Sequence, residues 1–117
     1  MRVTLIKVDL MKQVLFGNPV FDLPIMTTVR NGDKWFVDLE VGDKFEICDA
    51  SGTPTGQIGQ VLFQDCGSIF GLHDVWIEIN HDPAARTPDG LREAMAAAYP
   101  SGWNCEEVST IGFRIVS

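Results

Sequence analysis

Apolar and polar side chains alternate most regularly along Lys44-Phe45-Glu46-Ile47-Cys48, which places Phe45 and Ile47 on one face of a pleated strand. Val41-Gly42-Asp43 precedes it, and a glycine that tolerates positive φ beside an aspartate that bonds its own backbone makes a tight turn into the strand. The loop Asp49 to Gly56 leads to a second apolar run, Gln57 to Gln64, predicted to pair back onto the first. Near the end of the chain Ile111, Phe113 and Ile115 alternate with Thr110, Gly112 and Arg114, another half-buried strand. Ile25 to Arg30 reads as a strand closed by the Asn31-Gly32-Asp33 turn, and the β-branched run Val3 to Leu10 reads as the first strand.

Two segments carry helical spacing. Leu10 with Val14, and Met11 with Leu15, stand four apart before the stop Gly17-Asn18-Pro19, which predicts a short helix over Leu10 to Phe16. Thr87-Pro88 supplies a hydroxyl cap and a proline at the first position, and Leu91, Met95 and Ala98 form the buried stripe of a helix stopped at Tyr99-Pro100. Leu72 to Ile79 fits either period. Lys34-Trp35-Phe36-Val37 leads from the Asn31-Gly32-Asp33 turn into the central strand region, while Pro19 to Pro24 and Asn80 to Arg86 read as loops. Gly56, Gly59 and Gly67 fit the bulges of a strongly curved sheet. The whole predicts an α+β fold, a small curved mixed β-barrel with two or three peripheral helices, in one domain over residues 1–117.

Composition narrows the function classes. The chain has 45% hydrophobic and 21% charged residues and no apolar run of membrane-spanning length, and Lys7 and Asp9 break the amino-terminal segment. A cytoplasmic address is expected. Cys48, Cys66 and Cys105 form no CxxC pair, which points to reduced packing residues. A net charge of −7 opposes nonspecific binding to phosphate backbones, so duplex DNA is not an expected partner. The charge is uneven: residues 1–44 hold six basic side chains against six acidic ones, whereas residues 45–85 hold six acids and no lysine or arginine. An anion site is therefore expected in the first third of the chain.

The apolar-Gly-Asp turn at Val41-Gly42-Asp43, with Thr28-Val29-Arg30 before it and the Tyr99-Pro100 helix end and the strand Ile111-Gly112-Phe113-Arg114-Ile115 after it, resembles an ASCH domain of the PUA-like folds. The resemblance runs over nearly the whole chain and rests on the order of short motifs. It implies a cleft presented to RNA or to a nucleotide-like ligand, with Thr28 and Arg30 at the end of a Gly-x-Lys-Thr-x-Thr/Glu-x-Arg-like motif. In the branch of the family that hydrolyses acylated cytidine, a lysine, a threonine and a glutamate do the chemistry. Here the threonine matches Thr28, but Ile25 stands at the lysine position, and the glutamate position falls near Ala84 with Asp82 the nearest acid. A displaced Lys34 or Lys12 would have to reach the cleft from another element.

Read from the residues themselves, Thr28 and Arg30 share one strand face, so a hydroxyl and a guanidinium converge on one oxyanion or base edge, or else stand on a solvated face. Lys34 and Trp35 follow closely and supply a cation and a stacking ring; Trp103 and Tyr99 are further aromatics with packing as the commoner role. His73-Asp74 and His81-Asp82 carry ligand-type side chains, but a spacing of eight is no metal signature, and solvated or capping histidines are expected, with no metal or cofactor. Cys66 has only Asp65 and Gln64 beside it, which offers no base for a nucleophile. Gly56-Gln57-Ile58-Gly59 lacks the rest of a dinucleotide loop. The expected ligand site is Thr28, Arg30, Lys34 and Trp35, in a binding domain for RNA or a small nucleotide-like ligand. The other readings are a small hydrolase of a modified nucleoside or RNA with Thr28 as its catalytic residue, and a protein-interaction module that uses the acidic face.

Overall fold

The computed structural model describes residues 11–117. The strand expected at Val3 to Leu10 lies outside the described residues. Five strands, β1 (Lys12–Leu15), β2 (Met26–Asn31), β3 (Lys44–Cys48), β4 (Pro54–Gly67) and β5 (Val108–Ile115), form one mixed sheet in the order β1-β3-β4-β5-β2. The sheet curls into a half-barrel. Helices α1 (Lys34–Asp38), α2 (Asp74–Glu78) and α3 (Pro88–Ala98) lie at its periphery, with single 3-10 turns at Ile69–Gly71 and Pro83–Ala85. No helix among the described residues is long and apolar enough to cross a membrane.

β3 runs over Lys44–Cys48, with Phe45 and Ile47 buried as their alternation requires. It pairs antiparallel with β4 and parallel with β1. The helix expected over Leu10 to Phe16 is instead a strand in its described part. The same residues satisfy both periods: Val14 stands four from Leu10 and Leu15 four from Met11, while Val14 and Phe16 also alternate with Gln13 and Leu15. Pairing Val14 with Ile47 buries Val14 and Phe16 and leaves Met11 and Leu15 exposed, and a run this short gains more from extending a sheet than from a lone turn of helix.

Phe63 does not join Val61 in the barrel interior. The register between β4 and β5 slips between Val61 and Phe63, and this bulge turns Phe63 to the outer face, where it covers Gly112 and stacks on Trp76 at 5.1 Å. Leu72 to Ile79 resolves as the single-turn helix α2, whose exposed His73 caps it by accepting from the Val75 amide at 3.2 Å. α3 begins at the expected cap, Thr87 Oγ1 accepting from the Gly90 amide at 3.0 Å, and ends before Tyr99.

The sheet is apolar on both faces. Phe16, Met26, Phe45, Ile47, Val61, Ile111 and Phe113 fill the inside of the half-barrel, with Phe113 in edge-on contact with Phe45 at 5.5 Å and Phe21 at 6.0 Å. On the outside Val29 and Val108 pack with Ile77 of α2 and Leu91 and Met95 of α3. Alternation along β2 sorts its side chains accordingly: Met26, Thr28 and Arg30 point inward, Thr27 and Val29 outward to the helix layer.

Candidate functional site

β1 and β2 are the two edges of the curled sheet, and a cleft of about 370 Å³ lies where the chain leaving β1 comes opposite β2, with α3 as its far wall. Thr28, Arg30, His81, Asp82 and Tyr99 give it its polar groups, and Phe16 and the small residues Ala94 and Ala98 give it apolar surface. Between these two strands no ladder closes the barrel among the described residues.

Arg30 is its electrostatic centre. Its Nε donates to Thr28 Oγ1 at 3.0 Å, and its Cζ sits 4.7 Å from the centroid of the Phe16 ring, in cation–π contact. Among the described residues no carboxylate pairs with it; the ion pairs formed there are Arg86 with Asp22 and Arg92 with Asp89. Burial pulls the guanidinium below its ordinary value, with Tyr99 acting weakly the other way. Among the described residues, a sheltered arginine with one hydroxyl for a partner is a positive charge without a counter-charge, lining a cleft.

His81 is buried, with its Nδ1 unpartnered among the described residues and its ring edge-on to Phe16 at 4.9 Å. It is neither solvated nor a cap, as its position beside Asp82 in a loop had suggested. Its pKa falls to about 4, first through burial and then through the positive charge of Arg30, against smaller opposing effects of Asp82 and the Val20 and Asn18 backbone. The imidazole is therefore neutral at physiological pH. Asp82 Oδ1 is occupied locally, accepting from Asn18 Nδ2 at 3.1 Å and from the Ala84 amide at 3.0 Å. Arg86 anchors the same loop by donating to the Asn80 carbonyl at 2.8 Å and to Asp22 at 2.6 Å.

Of the expected site residues, Thr28 and Arg30 line the cleft and Lys34 and Trp35 do not. The segment expected to run on from the turn closes into α1, where Lys34 Nζ lies 4.1 Å from the Trp35 ring and Trp35 packs against the barrel interior. Among the described residues no lysine lines the cleft, so neither Lys12 nor Lys34 takes the place left by the exposed Ile25. The position matching the family glutamate, Ala84, is not in the lining either, whereas Asp82 is. Tyr99 stands at the cleft and its hydroxyl accepts from the Asn31 amide at 3.2 Å, while Trp103 packs in the outer layer. Cys66 is half-buried, and its thiol is pushed up by burial first and by Glu107 and Asp33 after it, away from the thiolate a nucleophile needs. Among the described residues no three ligating side chains gather to hold a metal. His81 and Phe16 are the cleft residues that sequence reasoning missed, because nothing local marks a loop histidine as lying against a phenylalanine 65 positions earlier.

No family model matches the chain, and no curated protein matches it. Among solved structures it is similar to protein EF3133 from Enterococcus faecalis V583, described under the family model DUF984, with a TM-score of 0.54 and 14% identity over 78% of this chain and 60% of that one. The chain thus spans about 60% of the length of that neighbour. What the likeness shows is the fold, a small curled α+β half-barrel.

Proposed function

We propose that the cleft between the sheet edges binds a small anionic, nucleotide-like ligand, with Arg30 taking the negative group and Thr28 holding the guanidinium in place. The observation that carries this reading is the lack of any acidic partner for Arg30 among the described residues, in a chain whose net charge is −7. With carboxylates in excess, an arginine sheltered from all those among the described residues costs stability that folding alone does not return. A bound anion supplies the missing charge, and the alanines of α3 supply apolar surface for the rest of the molecule. The resemblance to ASCH domains supports the same reading and extends it to RNA, and the curled sheet is compatible with a PUA-like fold.

The hydrolase reading finds Thr28 and Asp82 in one cleft but no lysine among the described residues that line it, and the Thr28 hydroxyl already accepts from Arg30. Binding is therefore placed ahead of turnover. Calorimetric titration of nucleoside 5′-monophosphates and short single-stranded RNA into wild type and Arg30→Ala tests it, with salt-sensitive binding expected for wild type alone. Equal affinity in both proteins, or none in either, removes the reading and leaves the acidic surface as an interaction face.

A further inference from the structure

Among the described residues, the hydrogen-bond pattern of β2 leaves one residue of its outer edge unused. Thr27 bonds outward with both backbone groups, donating to the Ile79 carbonyl at 3.0 Å and accepting from the His81 amide at 2.9 Å. Four residues on, the Asn31 amide also bonds outward, to the Tyr99 hydroxyl at 3.2 Å. The register with β5 is unbroken from Met26 to Asn31, so Val29, midway between them, turns its N–H and C=O to the same edge. Neither group has a partner among the described residues, and Val29 lines the cleft beside Arg30. Its side chain is engaged elsewhere, packed into the outer layer.

We propose that Val29 reads the ring edge of the ligand through its main chain: its N–H donates to a ring acceptor and its C=O accepts from the adjacent ring N–H or exocyclic amine. The ligand class is then a heterocycle with donor and acceptor side by side, such as the pairing edge of a nucleobase, joined to the anionic group held by Arg30. The proposal rests on the nucleotide reading of the cleft and narrows it. A peptide strand is the other natural occupant of a sheet edge, but strand addition needs several alternate residues in succession. Here Ile79 to His81 cap one side and Tyr99 the other, which leaves a gap one residue wide.

Amide hydrogen exchange followed by NMR tests this without any mutation at Val29. In the free protein the Val29 amide is expected to exchange at least about tenfold faster than those of Thr28 and Arg30, which face β5. Saturating uridine, cytidine, adenosine or guanosine 5′-monophosphate is expected, for at least one of the four, to slow Val29 exchange by about tenfold or more, and ribose 5-phosphate to leave it unchanged. Protection of Val29 equal to Thr28 in the free protein overturns the proposal, because the edge is then already paired. Nucleotide binding that Arg30→Ala abolishes but that never slows Val29 exchange leaves the anion site standing and overturns the edge reading. Absence of binding by all four nucleotides removes both.

Discussion

Thr28 Oγ1 and Arg30 Nε, two residues apart on the inner face of β2, are joined by a hydrogen bond of 3.0 Å. Alternation along a strand sets the pair on one side, and the short threonine reaches the base of the guanidinium rather than its tip. The two terminal nitrogens have no hydrogen-bond partner among the described residues, and Arg30 lines the cleft. A hydroxyl used in this way orients a cation. Thr28→Val keeps the shape and removes the acceptor, so nucleotide affinity should weaken by roughly 0.5–1.5 kcal/mol without being abolished. A loss as complete as that of Arg30→Ala would show that the hydroxyl itself touches the ligand.

Phe113 is fully buried at the centre of the half-barrel, with Phe16, Phe21 and Phe45 around it. Phe113→Ala is expected to cost roughly 3–5 kcal/mol in urea unfolding. A loss below about 1 kcal/mol would mean that the inner face of β5 is misassigned.

Gly112, the next residue along, presents its opposite face to Phe63, whose ring lies where a Cβ would stand. Gly112→Ala should therefore destabilise by roughly 1–3 kcal/mol as the ring is displaced from Trp76. In the Phe63→Leu background the same substitution should cost less, because the smaller side chain makes room. Additive losses in the double-mutant cycle would show that the two residues do not meet.

These contacts show how far the sequence reaches. Phe45, Ile47, Ile111 and Phe113 were legible because a two-residue period admits one burial pattern once a face is chosen, and α3 was legible because Thr87-Pro88 and Tyr99-Pro100 mark both ends. Phe63 was not, since a bulge inserts a residue without a local signal strong enough to place it, and β1 was not, since four residues satisfy two periods and only the partner strand decides. At the site, strand alternation puts Thr28 and Arg30 together. The turn into α1 carries Lys34 and Trp35 elsewhere, and His81 arrives through tertiary contact alone.

His81 should govern part of the acid stability. Its folded pKa is about 4 against 6.5 for the free side chain, so the folded protein holds the neutral ring and the unfolded chain takes up the proton first. The neutral ring's contribution is complete above pH 6.5, declines as pH falls toward 4 and is then spent, a total of roughly 3 kcal/mol. His81→Phe, which keeps an aromatic ring against Phe16 and Phe21, should flatten the stability profile between pH 4 and 6.5. An identical slope in wild type and variant would assign that window to other groups.

Arg30 offers the sharpest separation of stability from binding. A guanidinium drawn out of water with a single hydroxyl as partner among the described residues is a burden on the fold, and Met of similar length keeps the contact with Phe16 while removing the charge. Arg30→Met should therefore unfold within about 0.5 kcal/mol of wild type or above it, while nucleotide binding weakens by roughly 1.5–3 kcal/mol, the worth of a charge-assisted contact. On the proposed reading both signs follow together: a cation that serves a ligand costs the free protein. A destabilisation of more than about 2 kcal/mol with binding unchanged would reverse the assignment and make Arg30 a structural residue whose partner holds the fold.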